Sequence, residues 1–415
     1  MLLPDGTVMV TTESTASSPF AEMYDPDANT WTADAAGGNP LGSHVALTPA
    51  GRVLTLAAAF GSQPVSMRRA VFAPRWTGPV PVVPSELHAA VLLLDGRVML
   101  VGGPVVTLVD VDAAAQVEGP GLSTLRRRHT ATVMADGRIL VVGGEDSAVL
   151  ASAEVSSATQ DAWTEAASLA QARTEHTATL MLDGTVLVVG GSGGLGPLSS
   201  TEGFNPVTGE WTDGQPLAFG RAGHSATRLR DGDVLIVGGS FSSSAVRGTG
   251  TQGPWLDAGT LPPRSHHTAT MLADGRVLVV GGELGGVFLG SAVLSDVGVT
   301  QWTDVGPLPV ARAYHSASLL PDGRVLVAGG ENSNGPLPDA LLFDVTTGRW
   351  AAAPPPAAMR TRHRATTLVD GRIFLTGRGA PAEVFDVVGP TARVRPLLTG
   401  PAVMTTGKTL SLIHI

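Results

Sequence analysis

One dipeptide turn governs what this chain can become. Aspartate followed by glycine recurs at Gly6, Gly96, Gly137, Gly184, Gly232, Gly275, Gly323 and Gly371, and Ala50-Gly51 fills the remaining place in the series, so that successive glycines lie 41 to 48 residues apart. A period of this length, held along a chain of 415 residues, implies a stack or ring of small supersecondary units. The 52 glycines and 30 prolines beside 43% hydrophobic residues fit many short strands broken by turns.

His129–Gly144, HTATVMADGRILVVGG, followed by SAEVSSATQDAW up to Trp163, shows the unit most clearly. A strand of small and β-branched residues runs into Asp136-Gly137. Asp-Gly between two such runs marks a hairpin, because glycine accepts the positive φ that the turn needs. The next strand, RILVV, is continuously apolar, as expected of a strand buried on both faces. Gly143-Gly144 allows a bend or a close backbone approach. A third strand follows a loop of variable length and is clearest at Ala21–Pro26, Ala340–Val345 and Ala382–Val387, and a fourth carries a tryptophan.

This order of elements resembles the kelch repeat family over almost the whole chain to about Pro396. The resemblance implies an all-β fold, a β-propeller of four-stranded antiparallel kelch blades, which protects its strand edges by radial repetition. About nine repeat units are expected: a partial blade at 1–37, a degenerate one at 38–83, and blades at 84–121, 122–168, 169–216, 217–260, 261–307, 308–355 and 356–396, with 397–410 opening a further unit. Nine units imply an unusually large ring or parts of two. Both ends read as cut, since the opening Met1–Val10 matches the internal string Ser318–Val327 and Ser411–Ile415 leaves the pattern. Ala402–Thr405 is one candidate for the strand that closes a ring.

A formal charge of −9, with Lys408 the sole lysine and no basic tract, argues against nucleic acid and anionic membrane surfaces as partners. Apolar runs of strand length are far short of a membrane span of about 20 residues, so no membrane insertion is expected. The absence of cysteine removes disulfides, thiolate metal sites and cysteine nucleophiles.

Ten histidines could suggest a metal, but His88, His129, His176, His224, His267, His315 and His363 each stand eight residues before a turn glycine, and His44 stands seven before Gly51. A slot repeated in every unit is spread around a ring and points to packing. Trp31, Trp76, Trp163, Trp211, Trp255, Trp302 and Trp350 keep a similar register and read as contacts between blades. An R-x-x-H spacing places Arg126, Arg173, Arg221, Arg264, Arg312 and Arg360 on the face that also carries the loops after Gly-Gly. These six arginines are the candidate ligand face, where guanidinium groups could grip a carboxylate-bearing partner; the alternative is that each pairs with a carboxylate or carbonyl of an adjacent blade. The variable loops 145–151, 192–200, 240–245, 283–290 and 331–338 are the second candidate surface.

Kelch propellers include galactose oxidase, whose copper-radical chemistry requires a tyrosine cross-linked to cysteine, a second tyrosine and two histidines. This chain has no cysteine and only Tyr24 and Tyr314. Sialidase boxes and hydrolase or phosphate-binding motifs are absent. No catalytic residue, metal or cofactor is therefore expected. The expected role is a non-catalytic scaffold binding protein or carbohydrate, secreted or at a bacterial surface by likeness to similar repeat proteins. The alternative is a carbohydrate-active epimerase, lyase or oxidase-like propeller, marked by unpaired, non-repeating charged residues at one end of the channel.

Overall fold

The computed structural model describes residues 74–80, 88–102, 105–240, 242–377 and 380–387, together with five short strands before them. Seven four-stranded antiparallel sheets are present. Blade 1 begins at Ala89–Leu92, blade 2 at Thr130–Val133, blade 3 at Thr177–Leu180, blade 4 at Ser225–Arg228, blade 5 at Thr268–Met271, blade 6 at Ser316–Leu319 and blade 7 at Arg364–Thr367. These first strands are neighbours around the ring, and that of blade 7 lies against that of blade 1. The fold is thus a closed, seven-bladed, all-β propeller.

The turn glycine of every blade has φ between +83° and +95°, the left-handed region in which a side chain costs about 1 kcal/mol or more. The preceding aspartate fixes the turn from the other side: Asp136, for example, accepts from Arg138 N at 3.0 Å and from Nε at 2.7 Å. The continuous apolar second strand follows from the radial packing. Val277 and Val279 face a core shared with Leu235 and Val237 of blade 4, whereas Leu278 and Val280 face one shared with Val325 and Val327 of blade 6. A period of two with a core on each side leaves no polar position, and all four residues of Val277–Val280 are fully buried.

Seven blades close the ring where nine units were expected, because the outer strand of blade 7 comes from upstream. Arg75–Val80 pairs with Ala380–Asp386, placing Trp76 opposite Phe385. Trp76 then does what the other blade tryptophans do. Its Nε1 donates to Pro354 O at 2.7 Å, just as Trp163, Trp211, Trp255, Trp302 and Trp350 donate to a carbonyl of the blade before. The segment expected as a degenerate blade at 38–83 therefore supplies the closing strand. Val8–Thr11, Ala21–Asp25 and Thr30–Ala33 form a three-stranded sheet of their own, and His44–Leu47 pairs with Val53–Leu56. Ala402–Thr405, the other candidate for closure, and all of 397–415 lie outside the described residues.

The repeated histidines bind blade to blade. Nε2 of His176, His224, His267, His315 and His363 meets the hydroxyl of Thr130, Thr177, Ser225, Thr268 and Ser316, the first strand residue of the previous blade, at 2.8–2.9 Å. His88 uses Thr376 of blade 7 at 2.8 Å, because Arg364 occupies the hydroxyl position there. For His129 that position is Ala89, and neither ring nitrogen has a hydrogen-bond partner. Ala89→Thr should supply the missing hydroxyl and raise stability by about 1 kcal/mol, read as a higher urea midpoint with an unchanged m-value.

Burial pushes His129, His176, His224, His315 and His363 down to about 3, and His267 well below its ordinary value. In the unfolded chain they titrate near 6.5. Above that pH neither state binds the proton and nothing is lost; as pH falls from 6.5 toward 3 the unfolded state alone takes it up. At pH 5 this costs about 2 kcal/mol per histidine, roughly 12 for six, comparable with a typical total of about 5–15. Cooperative acid unfolding with a midpoint near pH 5 and uptake of about six protons is expected, measured by circular dichroism and potentiometry. A protein still folded at pH 4 would contradict it.

Candidate functional site

The six arginines of the R-x-x-H spacing are not on the surface. Arg126, Arg173, Arg221, Arg264, Arg312 and Arg360 are each 0–2% exposed, so they cannot present guanidinium groups to a partner. In five of them NH1 donates to the first glycine carbonyl of the Gly-Gly pair in their own blade: Gly143, Gly190, Gly238, Gly281 and Gly329, at 2.8–3.1 Å. NH2 reaches the start of the third strand. There it meets Glu154 at 2.8 Å, Glu202 at 2.5 Å, Asp339 at 2.7 Å and Glu383 at 3.3 Å in four blades, and only Ser244 and Ser291 hydroxyls in blades 4 and 5. Each arginine therefore staples its own blade, where the sequence suggested pairing with an adjacent one. With no carboxylate bonded, burial pushes Arg221 and Arg264 down to about 10.

The carbonyl of each of these arginines is turned toward the previous blade. A Cβ on Gly190, at φ +56°, would stand 2.6 Å from Arg221 O and 3.0 Å from the His224 ring. The glycine pair is thus required by the approach of the next blade.

The residue immediately before each repeat histidine differs from blade to blade in charge and size. Arg128, Glu175, Gly223, His266, Tyr314 and Arg362 all have φ between +53° and +64°. Their backbones join in a chain around the axis, in which Glu175, Gly223, His266, Tyr314 and Arg362 each donate an N–H to the carbonyl of the one before, at 2.8–3.4 Å. Five of these six residues are not glycine, and a left-handed conformation in a non-glycine residue often marks a functional position.

Their side chains, with the glutamates that follow the Gly-Gly pairs, form an arc of alternating charge. Glu145 lies 3.3 Å from Arg127 and 3.5 Å from Arg128. Arg128 lies 3.5 Å from Glu175, and Glu175 lies 3.7 Å from His266 Nε2. His266 Nδ1 and Tyr314 Oη both meet Glu283 Oε1 at 3.0 Å. The His266 ring leans over Gly223, where a Cβ would come within 2.7 Å of Nε2, and stacks on Tyr314 with ring centroids 4.3 Å apart. The Arg362 guanidinium also lies over the Tyr314 ring, 3.8 Å from its centroid, and bonds Glu331 at 3.2 Å. All of these groups keep partial access to solvent. The neighbouring His266 imidazole holds the Glu175 carboxyl below its ordinary range, and desolvation followed by the charge of Glu283 pushes the Tyr314 phenol up.

Three of the variable loops rise beside this arc as two-stranded hairpins: Ser192–Gly193 with Gly196–Pro197, Glu283–Leu284 with Val287–Phe288, and Glu331–Asn332 with Gly335–Pro336. Leu195 and Val287 stand exposed on them. Among the described residues, no group of three His, Cys, Asp or Glu side chains is placed to hold a metal. The arc was missed in the sequence although a signal existed: between the constant Arg and His of each unit, the last residue never settles.

A family match agrees with this architecture. The kelch motif matches residues 173–218, which run from the stapling arginine of blade 3 to just beyond its last strand, and the same elements recur around the ring. The chain is a β-propeller that carries a kelch motif in its third blade. Among solved structures, a fungal alcohol oxidase of the AA5 family in complex with copper is similar over 75% of this chain and 76% of its own, with 21% identity and a TM-score of 0.63. The structure of YjhT is similar over 66% of this chain and 98% of its own, with 15% identity and a TM-score of 0.53. At such identities the likeness concerns the fold. No curated protein matches the sequence. Copper does not fit the residues around Tyr314: the chain has no cysteine, and the phenol is already bonded to Glu283 between His266 and Arg362.

The stapling role of the arginines has a measurable consequence. Arg173→Met leaves Glu202, 2% exposed, without its counter-charge and should cost about 3–5 kcal/mol. Arg264→Met leaves only carbonyl and hydroxyl partners and should cost about 1–3 kcal/mol. Urea unfolding of the two variants checks the order, and equal losses would show that the carboxylate is not what makes Arg173 costly to remove.

Proposed function

We propose that this propeller is a non-catalytic binding ring that takes a polar partner, protein or carbohydrate, on the face formed by the axial arc and the three hairpins. The observation that carries this reading is the contrast between a regular scaffold and one irregular column. Arg128, Glu175, His266, Tyr314 and Arg362 share a backbone conformation and differ in chemistry, which is how specificity is written on a rigid frame.

Pairing within the arc favours binding over catalysis. The described carboxylates of the arc all have a partner. Glu175 is held ionised and Tyr314 protonated, so neither titrates near neutrality as an efficient general acid or base would. The Tyr314 ring is already engaged by the His266 imidazole and the Arg362 guanidinium. A sugar would therefore be gripped by hydrogen bonds from the alternating donors and acceptors of the arc, with no aromatic platform beneath it. A location outside a bacterial cell or on its surface belongs to the same reading and rests on likeness to similar Ala/Gly-rich repeat proteins.

The test is binding of the full chain to an array of glycans and surface proteins beside the Glu283→Gln/Arg362→Gln double variant, with circular dichroism confirming both folds. A specific signal reduced at least about tenfold in the variant, the effect of about 1.4 kcal/mol of lost interaction, is expected. A signal that survives in the variant would move the site off the arc. Turnover of any bound sugar would end the non-catalytic reading.

A further inference from the structure

The arc precedes each first strand and the Asp-Gly turn follows it, so the turns build the opposite face of the ring. Charges on that face are spent on one another. Asp95, Asp136, Asp274, Asp322 and Asp370 each pair with the arginine two residues on, and Asp231 and Asp233 share Arg247. Apolar side chains stand exposed between these pairs. Leu94, Leu182 and Val369, each just before a turn aspartate, are 66%, 71% and 56% exposed, and Val207 is exposed in the outer turn of blade 3. A side chain in this slot leans across the turn glycine of the next blade. A Cβ on Gly137 would stand 3.2 Å from Leu94 Cδ1, and Leu182 and Pro321 cover Gly232 and Gly371 more closely still. The exposed residues Pro321, Val369 and Leu94 thus occupy the same slot on three successive blades, 6, 7 and 1.

The chain joins and leaves the ring on this same face, at blade 7. Ile373, just after the turn, pairs with Phe385, and Asp386 pairs with Arg75. The closing strand therefore starts, and the third strand ends, at the turn end of the blade, two to three strand spacings or about 10–14 Å from its first strand. Residues 1–73 precede that point. Their sheet of Val8–Thr11, Ala21–Asp25 and Thr30–Ala33 has the register of a blade: Val8, Tyr24 and Trp31 stand in one row, as Val186, Phe204 and Trp211 do in blade 3. It has three strands where a blade has four, and the first strands of the seven blades close the ring without it. A sheet this small, and still more the two-stranded hairpin of His44–Leu47 with Val53–Leu56, needs an apolar surface to pack on. Residues 57–73 separate the hairpin from Pro74, enough chain to span up to about 60 Å.

We propose that the turn face over blades 6, 7 and 1, with Pro321, Val369 and Leu94 at its centre, is the docking surface for residues 8–56 of this same chain. Apolar side chains rimmed by paired charges mark a surface that another body covers. The segment is tethered at the edge of that surface, and a tether of this kind gives an effective concentration of about millimolar. Contacts too weak to hold a free partner then suffice. Docking leaves the arc face as the open end of the ring. The proposal goes beyond the reading of that face and does not depend on it, because no residue of the arc takes part.

The chain has no cysteine, so a single one can carry a photoreactive benzophenone maleimide without competition. The full chain is made as Val369→Cys and as Leu94→Cys, with Leu195→Cys, exposed on the blade 3 hairpin of the opposite face, as the control. All three positions are exposed, so the variants are expected to fold, and circular dichroism confirms it. Each is labelled and irradiated in dilute solution, separated on a denaturing gel, and its crosslinked peptides are identified by mass spectrometry. The expected result is that Val369→Cys and Leu94→Cys crosslink to peptides from residues 8–56 within a single molecule, and that Leu195→Cys does not. Absence of such crosslinks from both turn-face variants would overturn the proposal, as would equal crosslinking from Leu195→Cys. Crosslinks to residues 388–415, or between two molecules, in place of those to 8–56 would overturn it in favour of another occupant.

Discussion

The propeller depends on one contact made between successive blades. The N–H of the second glycine in each Gly-Gly pair donates to the carbonyl of the next blade's stapling arginine: Gly144 to Arg173, Gly191 to Arg221, Gly239 to Arg264, Gly282 to Arg312 and Gly330 to Arg360, at 2.7–2.8 Å. This bond needs two things at once. The donor side must have no Cβ, because one on Gly191 would lie 2.7 Å from Thr174 O. The acceptor side must be rigid, because a carbonyl that moved would leave a buried N–H unpaired. Arginine provides that rigidity by tying its own chain segment to the carbonyl of the first glycine and to the third strand, so glycine and arginine are two halves of one joint.

The histidines follow from that joint. Each imidazole lies against the glycine pair of the previous blade, close enough for a Cβ on Gly143 to meet the His176 ring at 2.9 Å. A cation beside it and burial around it both disfavour the imidazolium. The neutral ring can then share a hydroxyl with the previous blade at no electrostatic cost. Acid sensitivity is therefore a consequence of the packing and does not require a dedicated switch.

What repeats in the sequence was legible as structure, and what failed to repeat was the part with something to say. The glycine turns, the apolar second strands and the histidine slot announced four-stranded blades because each is forced by a local requirement that recurs. Closure was harder to read. Trp76 stands twelve residues before His88, as expected for the outer strand of the blade preceding blade 1; only in a circle of seven is that preceding blade also the last, and the number of blades is set by packing angles that no single unit records. The arginines misled for a related reason. Their regularity is the mark of packing, and a residue required in every blade is a poor candidate for recognising one ligand. His266 and Tyr314, which looked incidental, share the unsettled column with Arg128, Glu175 and Arg362 and stack where that column comes together.

The seam between blade 7 and blade 1 shows how closure and chemistry are connected. At most junctions the chain runs continuously from one blade to the next, so any lapse in the repeat would weaken a joint with nothing else to hold it. At the seam the closing strand Arg75–Val80 adds its own hydrogen bonds and the Trp76 contact, and the joint can tolerate departures from the pattern. Three occur there: Thr376 replaces the usual hydroxyl partner of His88, a register shift enters the blade 7 sheet between Leu375 and Gly377, and Arg364 stands in the hydroxyl position and donates to His88 O. At the seam the rule of one hydroxyl per imidazole gives way, and Arg364 joins blade 7 to blade 1 through the His88 carbonyl instead.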